Sequence, residues 1–155
     1  MSTIVRAGKV SDVAAIYRHI GQFHQESPKY SKFPLVEDRM REFLVRAVLK
    51  DRACVYVAEN AAEGIVGVIV GVVEKQFFSD YLILSDAFWY VAPRHRSTGV
   101  GKKMIAPFIA FGESMKCGDI LIGTTTNILP ERTGAALEKL GFSMLGTVYS
   151  YGGGE

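Results

Sequence analysis

Val91-Ala92-Pro93-Arg94-His95-Arg96-Ser97-Thr98-Gly99-Val100-Gly101 is the stretch whose reading decides the fold. An apolar run over residues 83–91, with Asp86 as its one charge, precedes it. Lys102-Lys103-Met104-Ile105 opens a helical pattern after it. The order is therefore strand, glycine-bearing turn, helix N-terminus. Such a turn aims unpaired backbone N–H groups and the positive end of a helix dipole at one spot, which favours a bound phosphate. Gly99 and Gly101 carry no side chains to keep a ligand off the main chain. Arg94, His95, Arg96, Lys102 and Lys103 add cationic groups around the turn.

Two familiar phosphate loops are excluded by residue type. A P-loop would place glycine at 96 and Ser or Thr at 103, where the chain has Arg96 and Lys103. A dinucleotide fingerprint would place a third glycine at 104, which is Met104. What remains is V-x-P-x-x-R-x-x-G-x-G between a strand and a helix. That register resembles the pyrophosphate loop of the GNAT N-acetyltransferases, whose co-substrate is acetyl-CoA. Ala136-Leu137-Glu138-Lys139-Leu140-Gly141-Phe142 is similar to a second stretch of that family, A-x-Y-E-K-x-G-F, with Leu137 where tyrosine is usual. The segments 26–31 and 127–134 look like those of small acetyltransferases encoded by tailed phages.

The totals agree with a soluble domain. At 155 residues, 48% hydrophobic and 22% charged, the chain is long enough to bury one core, so a single domain over 1–155 is expected. The net charge of +2 is too balanced to argue for nucleic acid, and the basic cluster lacks interleaved aromatics. Cys54 and Cys117 form no CxxC and read as thiols rather than a disulfide or ligands. The three histidines show no metal spacing, so no metal is expected. The start lacks a signal-peptide h-region and no apolar run reaches ~18 residues, which predicts a cytoplasmic protein with no membrane partner.

Along the chain, a strand at 3–6 precedes a helix capped by Ser11, with Val13, Ile16, Tyr17 and Ile20 on one face and Gly21 as its end. A loop interrupted by Pro28 and Pro34 leads to a second helix carrying Val36, Met40, Phe43, Leu44, Ala47 and Val48. Strands follow at 53–59, 65–73 and 82–91, the first two joined as a hairpin and the second central in the sheet. A helix that Pro107 inside it should kink runs to about 116 and is closed by Gly118. Then come a strand at 119–126, a helix at 131–140 with Gly141 just beyond, and a last strand at 143–151. The order β-α-α-β-β-β-α-β-α-β is that of the resembled family. It implies an α/β (α+β) fold with a mixed, mostly antiparallel central sheet, whose fourth and fifth strands splay apart between flanking helices.

The resemblance implies roles. Arg96, Ser97, Thr98, Gly99, Val100, Gly101 and Lys102 would hold the pyrophosphate, chiefly through backbone N–H groups. The main chain of Val91 would bond the pantetheine arm and supply an oxyanion donor, and Asn127 would contact the same arm. An alkylamine of pKa ~10.4 is mostly protonated at neutral pH, so a base helps. Asp86 is the candidate, since a carboxylate among apolar side chains is pushed toward useful pKa values. It reads equally well as a structural cap or ion-pair partner. With Leu137 in place of tyrosine, the thiolate leaves unaided or takes its proton from Tyr149 or Tyr151. His24, Glu26 and Tyr30 are candidate acceptor-binding residues, in a site expected between loop 24–33 and turn 75–81. The function implied is acetyl transfer to a primary amine of a small molecule or protein. The alternative is an inactive acyl-CoA-binding module that docks a partner. Because the last strand has room for no neighbour, a homodimer covering its edge is expected.

Overall fold

The computed structural model describes residues 2–124 and 128–152. Strand β1 (Thr3–Ala7) leads through one 3-10 turn at Val10–Asp12 into helix α1 (Val13–Glu26), and α2 (Glu37–Leu49) follows. Three long strands come next, β2 (Ala53–Asn60), β3 (Gly64–Lys75) and β4 (Leu82–Val91). Helix α3 (Val100–Ser114), the short β5 (Asp119–Leu121) and α4 (Pro130–Lys139) complete the order. The sheet runs β1-β2-β3-β4-β5, antiparallel throughout except for the parallel β4–β5 pair. This is the mixed, mostly antiparallel sheet between helices that the sequence predicts.

The alternation of side chains across the pleat sorts the strands' apolar residues into two cores. Val55, Val57, Val68, Val70, Phe88 and Tyr90 face α1 and α2. Cys54, Ala58, Ile69, Leu84 and Val91 face Val100, Met104, Ile105 and Phe108 of α3. Central β3 is covered on both sides, which is why its sequence has scarcely a polar residue.

Two irregularities open the sheet. The β3–β4 register slips between Val70 and Gly71, which pair with Phe88 and Asp86 and leave Ala87 as the extra residue of a bulge. Then β5 pairs with β4 only over Ile83–Asp119, Leu84–Ile120 and Ser85–Leu121. Past Ser85 the two strands part, and residues 86–91 of β4 flank an open fork.

Several boundaries differ from the sequence reading. Helix α1 passes through Gly21 and stops at Ser27, whose ψ of 118° is the extended backbone that a following proline imposes. Its N-cap is Asp12, one residue after Ser11, which lies inside the 3-10 turn, and the Lys9 N–H bonds Asp12 Oδ2 at 2.8 Å. Helix α3 runs unbroken past Pro107 and is closed by Lys116, not Gly118. Lys116 adopts φ +57°, and the Cys117 N–H returns to the Gly112 carbonyl at 2.9 Å. Gly118 is required for another reason: a Cβ there would lie 2.1 Å from the Tyr81 ring, whose hydroxyl donates to the Gly118 carbonyl. Gly141 does sit at φ +95° after α4, with Phe142 N–H on the Leu137 carbonyl at 3.1 Å. The strand expected at 143–151 does not form. That segment has no neighbouring strand, and Met144, Leu145, Val148 and Tyr149 stand 76–91% exposed.

Candidate functional site

The phosphate-loop stretch forms a 3-10 turn (Pro93–His95) and then the start of α3. Gly99 caps that helix at φ +82°, a left-handed backbone that side chains resist. The first backbone N–H of α3 to find a carbonyl is that of Lys103, on Gly99 at 3.2 Å. The N–H groups of Val100, Gly101 and Lys102 therefore point out of the helix end without an intrahelical acceptor, a cradle suited to an anion. The Val100 side chain is itself core, 3% exposed, so this residue offers its main chain alone. Gly101 faces β4: a Cβ there would meet Trp89 at 3.4 Å.

The basic cluster is less free than its sequence suggests. Arg94 and His95 turn away to Glu63 of the β2–β3 hairpin, Arg94 at 3.2 Å. The Thr98 hydroxyl donates to the His95 carbonyl at 2.6 Å on that same far side, and Lys103 also borders the hollow there. Arg96 folds inward. Its guanidinium grips both carboxylate oxygens of Glu26 at the end of α1, Nη2–Oε2 being 2.7 Å, and lies over the Tyr90 ring. The Tyr90 hydroxyl donates to Glu26 as well, at 3.1 Å. Arg96 holds the Glu26 carboxyl below its usual range, against the opposing effect of burial. Glu26, expected to read an acceptor, is thus the partner of the phosphate loop. Only Ser97, Gly99, Gly101 and Lys102 of the loop, with Arg96, border the large cleft.

That cleft, about 960 Å³, opens at the fork. Ala92 N–H bonds the Val66 carbonyl, so strand alternation turns the N–H and C=O of Val91 away from β3 and toward the gap. The Val91 carbonyl already accepts from Arg96 Nε at 2.8 Å, which leaves its N–H as the group facing the cleft. Asp86 stands at the crotch of the fork, half-buried. Its Oδ1 accepts the N–H of Gly123, just past β5, at 2.8 Å. Loss of hydration drives its carboxyl up to about 6, and the Gly123 hydrogen bond offsets only part of that. Asp86 and Val91 thus line one wall, with the α3 N-terminus beyond.

His24 and Tyr30 border the cleft from the α1 side, His24 through a ring nitrogen on the Phe33 carbonyl. The opposing wall is not turn 75–81, where Phe77 and Phe78 project into solvent, but Met40 and Phe43 of α2 and Leu35 just before it. Met40 and Phe43 read as an ordinary core stripe at helical spacing, so their second use as a cleft wall carried no sequence signal. Arg132 and Lys139, seven apart on α4, also border it, and nothing in the sequence around them marks either as a site residue. Leu137 is buried at 6% exposure, while Tyr149 and Tyr151 are wholly exposed and outside the cleft, which removes both as proton donors. Asn127 lies outside the described residues. Among the described residues no three His, Cys, Asp or Glu gather as a metal site, and no helix is long and apolar enough to cross a membrane. Both cysteines are free.

A forked mixed sheet with an anion-ready helix N-terminus at its mouth defines a class, the N-acyltransferases that take a coenzyme A thioester. The chain belongs to the acetyltransferase (GNAT) family, whose model matches residues 14–142. Solved structures repeat the fold across nearly the whole chain. Glucosamine-6-phosphate N-acetyltransferase from Arabidopsis thaliana superposes with TM-score 0.75 at 18% identity, covering 97% of each chain. AAC(6')-Iy, solved with the bisubstrate analogue CoA-S-monomethyl-acetylneamine, gives 0.77 at 16% identity over 97% of each. Ribosomal-protein-alanine N-acetyltransferase from Brucella melitensis gives 0.68 at 13%, covering 96% of this chain and 97% of that one. No curated protein sequence matches the chain significantly.

Proposed function

We propose that this chain, acting as one domain, transfers an acetyl group directly from acetyl-CoA to a primary amine of a small molecule or protein within a ternary complex. The observation that carries the reading is the fork. It sets the Asp86 carboxylate and the Val91 N–H on one wall of a cleft that leads to the open end of α3. The N–H groups of Val100, Gly101 and Lys102, with Ser97 and the Lys102 ammonium, would take the pyrophosphate. The Val91 N–H would bond the pantetheine arm or the developing oxyanion, with Asn127 helping to hold the arm.

Asp86, raised to about 6, is ionised at neutral pH yet basic enough to take a proton from the acceptor ammonium. The freed amine nitrogen attacks the thioester carbonyl carbon and gives up its surplus proton to water, the C–S bond breaks, and the sulfur leaves as thiolate. Leu137 stands where the family tyrosine would supply the thiolate's proton, so that proton comes from elsewhere or from water. A thiol of pKa ~8.5 departs tolerably as the anion and is protonated from water. His24 and Tyr30 remain acceptor-side groups. Arg96 and Glu26 act instead as a latch between phosphate loop and α1.

Calorimetric titration of acetyl-CoA into the wild type and into Gly99→Trp tests the reading, followed by coenzyme A release on an amine panel. Binding by the wild type alone, with release on at least one amine, is expected. Absence of acetyl-CoA binding would overturn it. Buried Leu137 favours one competing reading, a binding module without turnover, which predicts cofactor binding and no release on any amine.

The outer edge of β5, which no strand among the described residues pairs, and the exposed apolar segment 143–151 support a homodimer that covers them; a monomeric mass by light scattering at micromolar concentration would count against it. The two free cysteines suit a reducing compartment, and the cytoplasm is the proposed site of action. The segments 26–31 and 127–134 support kinship with phage-encoded acetyltransferases acting inside the host.

A further inference from the structure

The two ends of the cleft differ in chemistry. Where α3 and α4 border it the charged lining is cationic: Lys102, Arg132 and Lys139. Where α1 and α2 border it, Phe23, Phe33, Leu35, Met40, Phe43 and Phe88 make an apolar wall, broken by the polar tips of His24 and Tyr30. The aromatic wall is preassembled: Phe23 stands edge-on to Phe88, ring centroids 4.8 Å apart, and tilted against Tyr30 at 6.0 Å. Phe33 is 55% exposed at the rim, an apolar face that a bound body would cover. Glu26, the nearby carboxylate of α1, is held by Arg96 and Tyr90, so Asp86 is the one carboxylate among the described lining residues.

Resting on the acetyltransferase reading, we propose that the acceptor is a monoamine, its single ammonium carried on a short linker from an aromatic body. The ammonium meets Asp86 while the ring packs among Phe23, Phe33 and Phe43. A flat ring gains edge-to-face contacts there that an aliphatic chain does not. A polycationic acceptor would need several carboxylates at this end, and its remaining charges would be desolvated against phenyl rings. A sugar phosphate would lose hydration from several hydroxyls and a phosphate, for which this wall offers little beyond His24 and Tyr30.

The experiment first titrates acetyl-CoA, then measures coenzyme A release at neutral pH with phenethylamine, tryptamine, spermidine, glucosamine 6-phosphate, kanamycin and a short peptide with a free N-terminus. Phenethylamine and tryptamine should exceed the others in kcat/KM by about a hundredfold, the scale on which polar and apolar acceptors part in such a site. Phe33→Ala, at an exposed position that spares the fold, should raise KM for phenethylamine about tenfold and leave acetyl-CoA affinity unchanged. Acetyl-CoA binding with spermidine, the sugar phosphate, kanamycin or the peptide turned over as well as phenethylamine overturns the inference and leaves the enzyme reading standing. No acetyl-CoA binding overturns both. If acetyl-CoA binds and no amine turns over, phenethylamine is titrated into the protein–coenzyme A complex. Binding weakened by Phe33→Ala supports the assignment, and absence of binding ends it.

Discussion

Replacing Asp86 by Asn should make the protein more stable and less active, and the structure sets both sizes. The carboxyl is raised from its ordinary 3.8 to about 6 in the folded chain, chiefly by burial. The unfolded chain therefore releases this proton at lower pH than the native state does. Below pH ~3.8 the carboxyl is neutral in both states and costs nothing. As pH rises through the interval up to ~6, the unfolded state ionises first and native stability falls. Above ~6 the loss is complete, at about 3 kcal/mol for a shift of roughly two units. Asn keeps an oxygen for the Gly123 N–H, now 2.8 Å from Oδ1, and carries no charge to desolvate. Denaturant titrations should show the variant stabler by about 3 kcal/mol at pH 7 and by only about 1 kcal/mol at pH 4.5. Amine-dependent coenzyme A release should drop by about 10²–10⁴, with acetyl-CoA affinity unchanged. Equal stability of the two proteins at pH 7, or a gap that does not shrink in acid, would refute the desolvated-carboxylate reasoning. Full activity would refute Asp86 as the base.

Three further outcomes follow from the same geometry. Gly99→Ala should lower stability by about 1–2 kcal/mol, because φ +82° is a left-handed backbone, and thermal unfolding would read the loss. Glu26→Gln should lower stability by about 1 kcal/mol at neutral pH, a modest value because the pair is partly exposed, and should weaken acetyl-CoA binding several-fold by loosening the phosphate loop. The Glu26 carboxyl is depressed by Arg96, so its contribution is present above the ordinary carboxylate range and fades as pH falls through it. Unchanged acetyl-CoA affinity in calorimetry would show that the latch does not position the loop. Arg6→Ala should cost about 2 kcal/mol in urea unfolding, since it leaves Asp12, whose side chain is 11% exposed and bonded to Arg6 at 2.8 Å, with the Lys9 N–H and no cation. A double change with Asp12→Ala should be milder than the single one.

The limits of the sequence reading have a common physical origin. What local chemistry dictates was legible: β4 spans residues 82–91 as expected, because a run of apolar and aromatic residues between turn formers has one sensible conformation. Gly99 and Gly141 sit at positive φ as turn and cap positions require. What was not legible depends on partners distant in the chain. Arg96 and Glu26 are 70 residues apart, and nothing in either neighbourhood says that the loop's arginine reaches back to α1 rather than out to a phosphate. The segment at 143–151 has strand-like residues, but a strand also needs a neighbour, and β5 ends at Leu121. Phe43 and Met40 lie at helical spacing and read as core, yet the bulge at Ala87 and the early end of β5 pull the sheet open in front of them. The same bulge leaves Asp86 at the crotch of the fork, so one slipped register sets the position of the candidate base and opens the space for its substrate. Deleting Ala87 should therefore make Gly71–Asp86 and Val70–Phe88 consecutive rungs, remove the local bend and narrow the fork beside Asp86. A folded deletion variant that still releases coenzyme A at the wild-type rate would show that the chemistry does not depend on where the bulge places Asp86.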